Sequence, residues 1–321
     1  MAEKKAREIE LDMLSGNFDR SLKKYKPESL ATKKTDVLSL WERFTVYKLK
    51  TGKISLATQD STYNPVLSTL RRYGKSLVTV DDGQHFLAWL TGQNGESYAK
   101  KQLVLLNAMF KWAIGQDLVS VNPVEGLTIK VPPRQEYEAF TKEQGQLILE
   151  AFSRNPYYRH YYPFVLALFS LGCRPGELIA LQWRHLTEDF SQAWIGFSYS
   201  RKTLKATKTN KSRTLPIPET LRQVLYSLSL ERHPLPDDLV FPSPEGKYID
   251  LHNFRNRAWK KIMGELEQKG HPYLARHSFV SHLLHEGYNP ITVARLSGHT
   301  KEVMFKNYAH QIEKVTLPNF Y

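Results

Sequence analysis

The chain has 321 residues, of which 41% are hydrophobic and 24% charged, a globular composition that excludes a disordered or fibrous protein. Its single cysteine, Cys173, excludes an intramolecular disulfide and a cysteine-rich zinc cluster, so we expect a reducing compartment such as the cytoplasm. The formal net charge of +13 favours a polyanionic partner, although a soluble basic protein without one would carry the same excess. Because no apolar run is long enough to cross a bilayer and no signal-peptide core is present, we expect no membrane association.

The first half of the chain is predicted to be helical. An amphipathic helix over 3–15 is followed by a Ser-Gly-Asn turn, and we interpret residues 1–30 as a helical appendage. A compact helical module is predicted over 35–120, with a first helix capped by Thr35 or Asp36. Its other helices fit residues 59–73, 80–91 and 96–115.

The second half is predicted to form a separate domain. Residues 121–137 contain a Pro-Pro pair and little helical periodicity, which indicates an extended linker. A second domain is expected over 138–321, opened by a capping box at Thr141 and Gln144 and centred on an apolar helix around Phe164. Further helices are predicted near 217–229, 251–268, 275–286, 290–297 and 300–307.

One segment of this second domain has the period of β-strands. Residues around Trp194 suggest one strand and residues 213–217 another, joined by the basic turn 205–211. The expected fold class is therefore mainly α with a small β-hairpin or sheet.

The sequence lacks the common motifs for nucleotide and metal binding. It contains no GxxxxGK[S/T], no GxGxxG and no HExxH pattern. His282 and His285 are spaced to share a helix face, but this pair alone does not make a metal site. We therefore expect neither a metal nor a nucleotide cofactor.

Basic and hydroxyl residues instead recur on turns and helix starts of the second half. Arg174 follows Gly172-Cys173 and precedes Pro175 at a predicted helix start, which would aim its side chain outward unless it pairs locally with Glu177. The other segments of this kind are the basic turn with Lys208, His271-Pro-Tyr273-Leu-Ala-Arg276-His277-Ser-Phe, Leu296-Ser-Gly-His299 and Tyr308. Each segment is a weak signal alone, because the chain has 17 tyrosines and 11 histidines.

In this order the segments resemble the tyrosine recombinase (phage integrase) family over residues 35–321. The resemblance is carried by G-x-R-x-G-E-L at 172–178, a lysine followed by K-S-R-T-L-P-I-P, R-H-S-F at 276–279, L-x-G-H at 296–299 and a tyrosine nine residues later. It implies a helical core-binding (SAM-like) domain followed by a catalytic domain with the DNA breaking-rejoining fold. Residues 6–27 look like the end of an arm-binding region without its β-sheet, which leaves arm-site binding open.

The resemblance implies roles for the residues that match its boxes. Tyr308 would attack a DNA phosphodiester, forming a 3′-phosphotyrosyl link and freeing a 5′-hydroxyl without metal or ATP. Arg174 and Arg276 would grip the phosphate oxygens, and His299 would hydrogen-bond the phosphate. Lys208 would protonate the leaving 5′-oxygen, with Lys205 and Lys211 as the nearby alternatives. A phenol has an ordinary pKa near 10 and is protonated at neutral pH. It therefore needs a basic, water-poor pocket or a nearby base to act as a nucleophile, as this mechanism requires.

Tyr273 is the one departure from the family pattern. Three residues before Arg276 the family most often has histidine, and a tyrosine can donate a hydrogen bond there but cannot act as a base near neutral pH. His271 is a second candidate to reach into the site, and packing of Tyr273 against the linker is the structural alternative. In having tyrosine at this position, the chain resembles family members that excise chromosomal elements in cyanobacteria. We therefore interpret Tyr273 as a mark of that branch.

The partners implied are double-stranded DNA recombination sites, enclosed by the two domains as by a clamp. A monomer in solution would form a homo-tetramer on synapsed DNA, with its tail beyond Tyr308 docked on a neighbour and with a directionality factor or DNA-bending protein as a further partner. We expect a cytoplasmic protein of bacterial or phage origin that associates with the nucleoid through DNA. The expected DNA-binding residues are Lys100, Lys101, Lys111, Lys211 and Arg213.

Three other functions share parts of this pattern. A type IB topoisomerase uses the same nucleophile, and a catalytically impaired architectural protein would bind DNA without forming an adduct. A metal-dependent nuclease would use the histidines at 271, 277, 282 and 285 and would lose activity in EDTA.

Overall fold

The computed structural model describes residues 2–19, 36–132, 138–206 and 212–308. Predictions that fall on 20–35, 133–137, 207–211 and 309–321, including those for Lys208, Lys211 and the C-terminal tail, lie outside the described residues. The chain divides into two compact units, Met1–Arg134 and Gln135–Tyr321. The finer domain boundaries given above stay predictions.

The first unit is built from helices around an aromatic core. Asp36 caps the first helix of the predicted module by accepting a hydrogen bond from Leu38 N, and Thr79 forms a capping box with Asp82. The indole of Trp41 is buried and stacks on Tyr63, with ring centroids 5.4 Å apart. The helices are α1 (Ala2–Leu14), α2 (Val37–Lys50), α3 (Leu56–Thr58), α4 (Asn64–Tyr73), α5 (Val80–Gln93) and α6 (Glu96–Ile114), with a π-helical turn at Gln59–Tyr63.

Helix α6 has an apolar face and a basic face. Its buried residues include Leu103, Leu106, Met109, Phe110 and Ala113. Lys100, Lys101 and Lys111 are exposed. This helix therefore presents three ammonium groups to solvent while it contributes to the core of the first unit.

The second unit is packed around α8, whose apolar residues predict a central position. Phe164, Val165 and Leu168 of this helix are buried, and α8 contacts α7, α10 and α13. A cluster of buried rings from Phe152, Phe254 and Trp259 extends the core. The helices are α7 (Lys142–Arg154), α8 (Tyr162–Leu171), α9 (Pro175–Ile179), α10 (Glu219–Arg232), α11 (Leu251–Asn253), α12 (Lys260–Glu265), α13 (Leu274–His285), α14 (Pro290–Ser297) and α15 (Lys301–Tyr308).

The short helical turns of this unit are 3₁₀-helical at Arg159–Tyr161 and Trp183–His185 and π-helical at Phe254–Trp259. The continuous helix predicted at 251–268 is therefore three joined segments. Among the described residues, no helix is both long and apolar enough to span a membrane.

The β-structure corrects the prediction of a single hairpin. β1 (Gln192–Ile195) pairs antiparallel with β4 (Arg213–Pro216), and between them β2 (Phe197–Ser200) pairs with β3 (Thr203–Ala206). Lys205 therefore lies in a strand and not in the turn that we predicted. The tight turn is at Arg201 and Lys202, whose φ angles of +51° and +58° are those that a two-residue hairpin turn uses. Because Arg-Lys is not the Asn-Gly type of dipeptide that usually forms this turn, the turn could not be predicted from its residues. The mainly α fold class with a small β-component is confirmed.

Candidate active site

Arg174 is positioned by a sharp turn between α8 and α9. Gly172 ends α8 with φ of +57°, and a Cβ atom there would lie 2.1 Å from Cδ1 of Phe279, so only glycine fits. Nη1 of Arg174 donates to Oε1 of Glu177 at 2.9 Å, and Nη2 donates to the carbonyl oxygen of Gly298 at 3.2 Å. The local pair with Glu177 is thus formed, and the same guanidinium also reaches the L-x-G-H segment.

Glu177 is the buried carboxylate that two arginines share. Its side chain is 1% exposed, and Nη2 of Arg213 donates to its Oε2 at 2.7 Å. Burial raises the pKa of this carboxyl, but the hydrogen bond and charge of Arg213, together with Arg174, outweigh burial and lower the pKa below its ordinary value. Glu177 is therefore ionised at neutral pH and holds both guanidinium groups in place.

The position of Arg213 does not suit its predicted role as a DNA-binding residue. Its side chain is 10% exposed, and Nε donates to the carbonyl oxygen of Leu296 at 2.8 Å. Together with the bond to Glu177, this contact commits the planar guanidinium to the protein interior. This placement indicates that Arg213 links β4 to α9 and to the end of α14. It does not indicate direct contact with a ligand.

Arg276 is the deepest cation of the site. Its residue is 0% exposed in α13, and Nη1 donates to the carbonyl oxygen of Gly172 at 2.9 Å. Within the described part of the chain, its buried Nε and Nη2 atoms have no hydrogen-bond partner. Burial lowers the pKa of Arg276, and the charge of Arg174 acts in the same direction. A buried guanidinium with two unused donors is unfavourable alone and is suited to bind an anion.

His299 lies beside the two arginines at the end of α14. Gly298 has φ of +71° and ends the helix, and Nδ1 of His299 lies 2.8 Å from Oγ of Ser297. Burial lowers the pKa of His299 to about 3, and the charges of Arg276 and Arg174 add to that effect. The imidazole is therefore neutral across the physiological pH range.

Tyr308 is the last described residue of α15 and points into the same pocket. It is 3% exposed, and its Oη atom lies 2.6 Å from Nδ1 of His277. The centroid of its ring is 6.0 Å from that of His299. Burial raises the pKa of the phenol to about 12, although the charge of Arg276 acts in the opposite direction. Tyr308 is therefore protonated at neutral pH and must lose that proton to act as a nucleophile.

Tyr273 is half-buried at the start of α13. Its ring lies edge-on to that of His277, with centroids 5.4 Å apart, and Cζ of Arg276 lies 5.9 Å from its centroid. His271, the other candidate for this place, has its ring 6.5 Å from that of Tyr273. Tyr273 therefore connects the deep arginine with the histidine that contacts Tyr308.

A basic cleft of about 1040 Å³ opens beside Tyr273. The stacked rings of Tyr199 and Tyr248, 3.9 Å apart, form part of its lining. Its basic lining residues are Arg201, Lys202, Lys247, Arg255 and His271. The positive charge of these side chains makes the cleft suited to a polyanion.

The structure brings together five of the predicted site residues: Arg174, Tyr273, Arg276, His299 and Tyr308. Lys100, Lys101 and Lys111 lie in the first unit, and Lys208 and Lys211 lie outside the described residues. His277 was predicted only as one histidine of the nuclease alternative, although its spacing of four residues from Tyr273 was a usable signal for a place in this site. In the described ranges, no group of three or more histidine, cysteine or acidic residues is arranged to hold a metal ion.

Comparison with known proteins identifies similar sequences and folds. The profile described as the phage integrase family matches residues 138–314. Tyrosine recombinase XerC of Escherichia coli O157:H7 is 26% identical over 213 residues, which cover 65% of this chain and 68% of the relative.

Solved structures share the fold over most of the chain. The Tn1549 transposon integrase in complex with a circular intermediate DNA has 18% identity and a TM-score of 0.73, covering 85% of this chain and 94% of that protein. A lambda integrase dimer bound to a COC′ core site has 14% identity and a TM-score of 0.67, covering 88% and 80%. XerH recombinase bound to a palindromic difH substrate has 15% identity and a TM-score of 0.64, covering 88% and 95%.

Proposed function

Because the chain belongs to the phage integrase family of tyrosine-type site-specific recombinases, we propose that it cuts and rejoins DNA through a 3′-phosphotyrosyl intermediate. The observation that carries this proposal is the pocket around Arg276. Two buried guanidinium donors without a protein partner in the described residues lie in the same site as Tyr308 and the neutral imidazole of His299. A phosphodiester is an anion of the right size and chemistry for these donors.

Arg174 and Arg276 bind the scissile phosphate in this mechanism. Planar guanidinium groups donate to the non-bridging oxygens and offset the charge that grows on them as phosphorus becomes five-coordinate. Glu177 and Arg213 do not touch the phosphate but hold Arg174 against the end of α14. His299, neutral and fixed by Ser297, donates a further hydrogen bond to the phosphate.

Tyr308 is the nucleophile, and the reaction conserves the energy of the DNA bond. As Tyr308 Oη bonds to phosphorus, the bond to the 5′-oxygen breaks and Lys208 gives that oxygen a proton. The 5′-hydroxyl of a partner strand then reverses the same steps, so the proposed reaction needs neither ATP nor a metal ion. Tyr273 takes the position of the usual histidine and donates a hydrogen bond to the phosphate.

The proposed partner is double-stranded DNA at specific recombination sites. Lys100, Lys101 and Lys111, exposed on α6, supply phosphate contacts from the first unit, and the basic cleft supplies them from the second. Lys211 is proposed as a further phosphate contact. We propose a monomer in solution that assembles as a homo-tetramer on two synapsed sites in the cytoplasm, with a directionality factor or DNA-bending protein as an accessory.

A suicide-substrate assay tests this function. The protein is incubated in EDTA with nicked duplexes that tile the DNA flanking its own gene, and covalent adducts are resolved on a denaturing gel. We expect an adduct with the wild-type protein and none with Tyr308→Phe. Binding without any adduct would favour the architectural alternative, activity lost in EDTA would favour a nuclease, and relaxation of plasmids that lack the site would favour a topoisomerase.

A further inference from the structure

A line of three side chains leads from the start of α13 to the nucleophile. Oη of Tyr308 lies 2.6 Å from Nδ1 of His277, a distance at which an O–H to N hydrogen bond forms. The ring of His277 is 5.4 Å from that of Tyr273, one helical turn earlier. His277 therefore lies between the nucleophile and the residue that replaces the usual histidine.

The other polar groups of the site are poorer acceptors for the proton of Tyr308. His299 has its Nδ1 bonded to Ser297, and its low pKa of about 3 makes its imidazole a weak base. Tyr273 is a phenol like the nucleophile itself and offers no driving force for the transfer. The imidazole of His277 is already within hydrogen-bond distance of the phenol oxygen, and histidine is the side chain that most often serves as a general base.

We propose that His277 is the catalytic base that removes the proton of Tyr308, a role that Tyr273 cannot supply. This inference rests on the proposed recombinase function and assigns a proton to an atom within it. In the neutral tautomer that carries hydrogen on Nε2, Nδ1 accepts the phenol hydrogen.

Two protons move in the cleavage step, one from Tyr308 to His277 and one from Lys208 to the leaving oxygen. The Oη lone pair forms the bond to phosphorus while the bond from phosphorus to the 5′-oxygen breaks. The phenol proton moves to Nδ1 and leaves an imidazolium, and the 5′-oxygen takes its proton from Lys208. In rejoining, the 5′-hydroxyl attacks phosphorus, Lys208 takes back a proton and His277 returns its proton to the departing Tyr308.

The first test uses variants that separate a hydrogen bond from proton acceptance. His277→Asn places an amide oxygen where Nδ1 was, so it can hold the phenol but cannot take its proton. We expect adduct formation to slow by about 10²–10⁴-fold, the usual contribution of a general base, with DNA binding unchanged. In His277→Ala, added imidazole should restore the rate in proportion to its concentration. His285→Asn, exposed on the same helix, is the matched control and should keep the wild-type rate.

The second test separates the base from the acid. A substrate with sulfur in place of the bridging 5′-oxygen has a leaving group that needs no proton, so it should rescue Lys208→Ala but not His277→Asn. On this substrate, the wild-type protein should react more slowly in D₂O, because the proton of Tyr308 is the one being transferred. This measurement needs no variant and holds even where a substitution disturbs folding.

The outcomes distinguish this inference from the proposed function. If the wild-type protein forms an adduct, three results would each overturn His277 as the base. They are a wild-type rate in His277→Asn, rescue of His277→Asn by the sulfur substrate, and failure of imidazole to restore the rate of His277→Ala. An equal rate of the wild-type protein in H₂O and D₂O on the sulfur substrate would also overturn His277 as the base. Lack of any wild-type adduct would overturn the recombinase function and this inference with it.

Discussion

Arg213 and Glu177 form an ion pair inside the second unit, with Nη2 2.7 Å from Oε2. The pair joins β4 to α9, and Arg213 extends the link to the backbone of Leu296 at the end of α14. Because Glu177 also holds Arg174, one buried carboxylate fixes the positions of two segments that carry the predicted phosphate-binding residues. The geometry of the site therefore depends on a residue that does not face the ligand.

Removing Arg213 should destabilise the second unit strongly. In Arg213→Ala the carboxylate of Glu177 stays buried without its main partner, and breaking one side of a buried pair costs about 3–5 kcal/mol. Denaturant unfolding should show this loss. Arg184→Ala breaks a pair with Asp237 whose side chains are 50% and 75% exposed, and it should change stability by less than about 1 kcal/mol. Equal effects of the two substitutions would contradict the bracing role.

Local signals in the sequence predicted much of the secondary structure. The capping box at Thr141 and the Pro and Gly that bound α14 at 290–297 depend only on neighbouring residues, and both predictions are confirmed. The turn at Arg201 and Lys202 was missed because its residues are atypical of that turn.

Contacts across the chain were harder to predict from the sequence. The family boxes indicate that Arg174 and Arg276 share a site, but not which atoms hold them. Arg276 donates to Gly172, 104 residues earlier, and Tyr308 contacts His277 over 31 residues. Such pairs are set by how α8, α13 and α15 pack together, which no periodicity or spacing encodes.

Gly172 should not tolerate a side chain. In Gly172→Ala a methyl group would meet the ring of Phe279 at 2.1 Å, in a backbone conformation that alanine disfavours. We expect a loss of about 2–4 kcal/mol in unfolding free energy from overpacking and strain together. Gly264→Ala is the matched control, because a Cβ added at that position in α12 would meet no atom of the described residues within 4 Å beyond its own helix backbone. Alanine there should raise stability by up to about 1 kcal/mol, since it is the better helix former.

Arg276 should be required for chemistry and not for stability. Arg276→Met keeps the length of the side chain and removes a buried charge, two of whose donors have no partner among the described residues, so it should leave Tm unchanged or raised. Adduct formation on the nicked duplex should fall by at least about 100-fold, because the growing charge on the phosphate loses its main donors. DNA binding should change little. Arg154→Met, on an exposed side chain of α7, should keep full activity. Normal cleavage by Arg276→Met would refute the phosphate-binding assignment.

Tyr273→His should be tolerated. An imidazole at this position can still donate a hydrogen bond to a phosphate oxygen. It can also face the ring of His277, whose centroid lies 5.4 Å from that of Tyr273 in the wild-type protein. The rate of adduct formation should stay within about tenfold of the wild-type rate. A complete loss of adduct, with DNA binding retained, would show that the pocket is built around tyrosine specifically.

His299 should make the second unit sensitive to acid. Its pKa is lowered to about 3 in the folded protein, whereas an unfolded imidazole takes up a proton below about pH 6.5. Between these two values the unfolded chain binds more protons than the folded chain, so stability falls as pH is lowered from about 6.5 towards 3. His299→Asn cannot titrate and should flatten this part of the profile of unfolding free energy against pH. The ionised Glu177, whose pKa is also lowered, should still produce a decline at more acidic pH in the variant. A variant profile that keeps the full wild-type slope between pH 6.5 and 5, where carboxylates contribute little, would show that His299 is not held neutral by burial and by the two arginines.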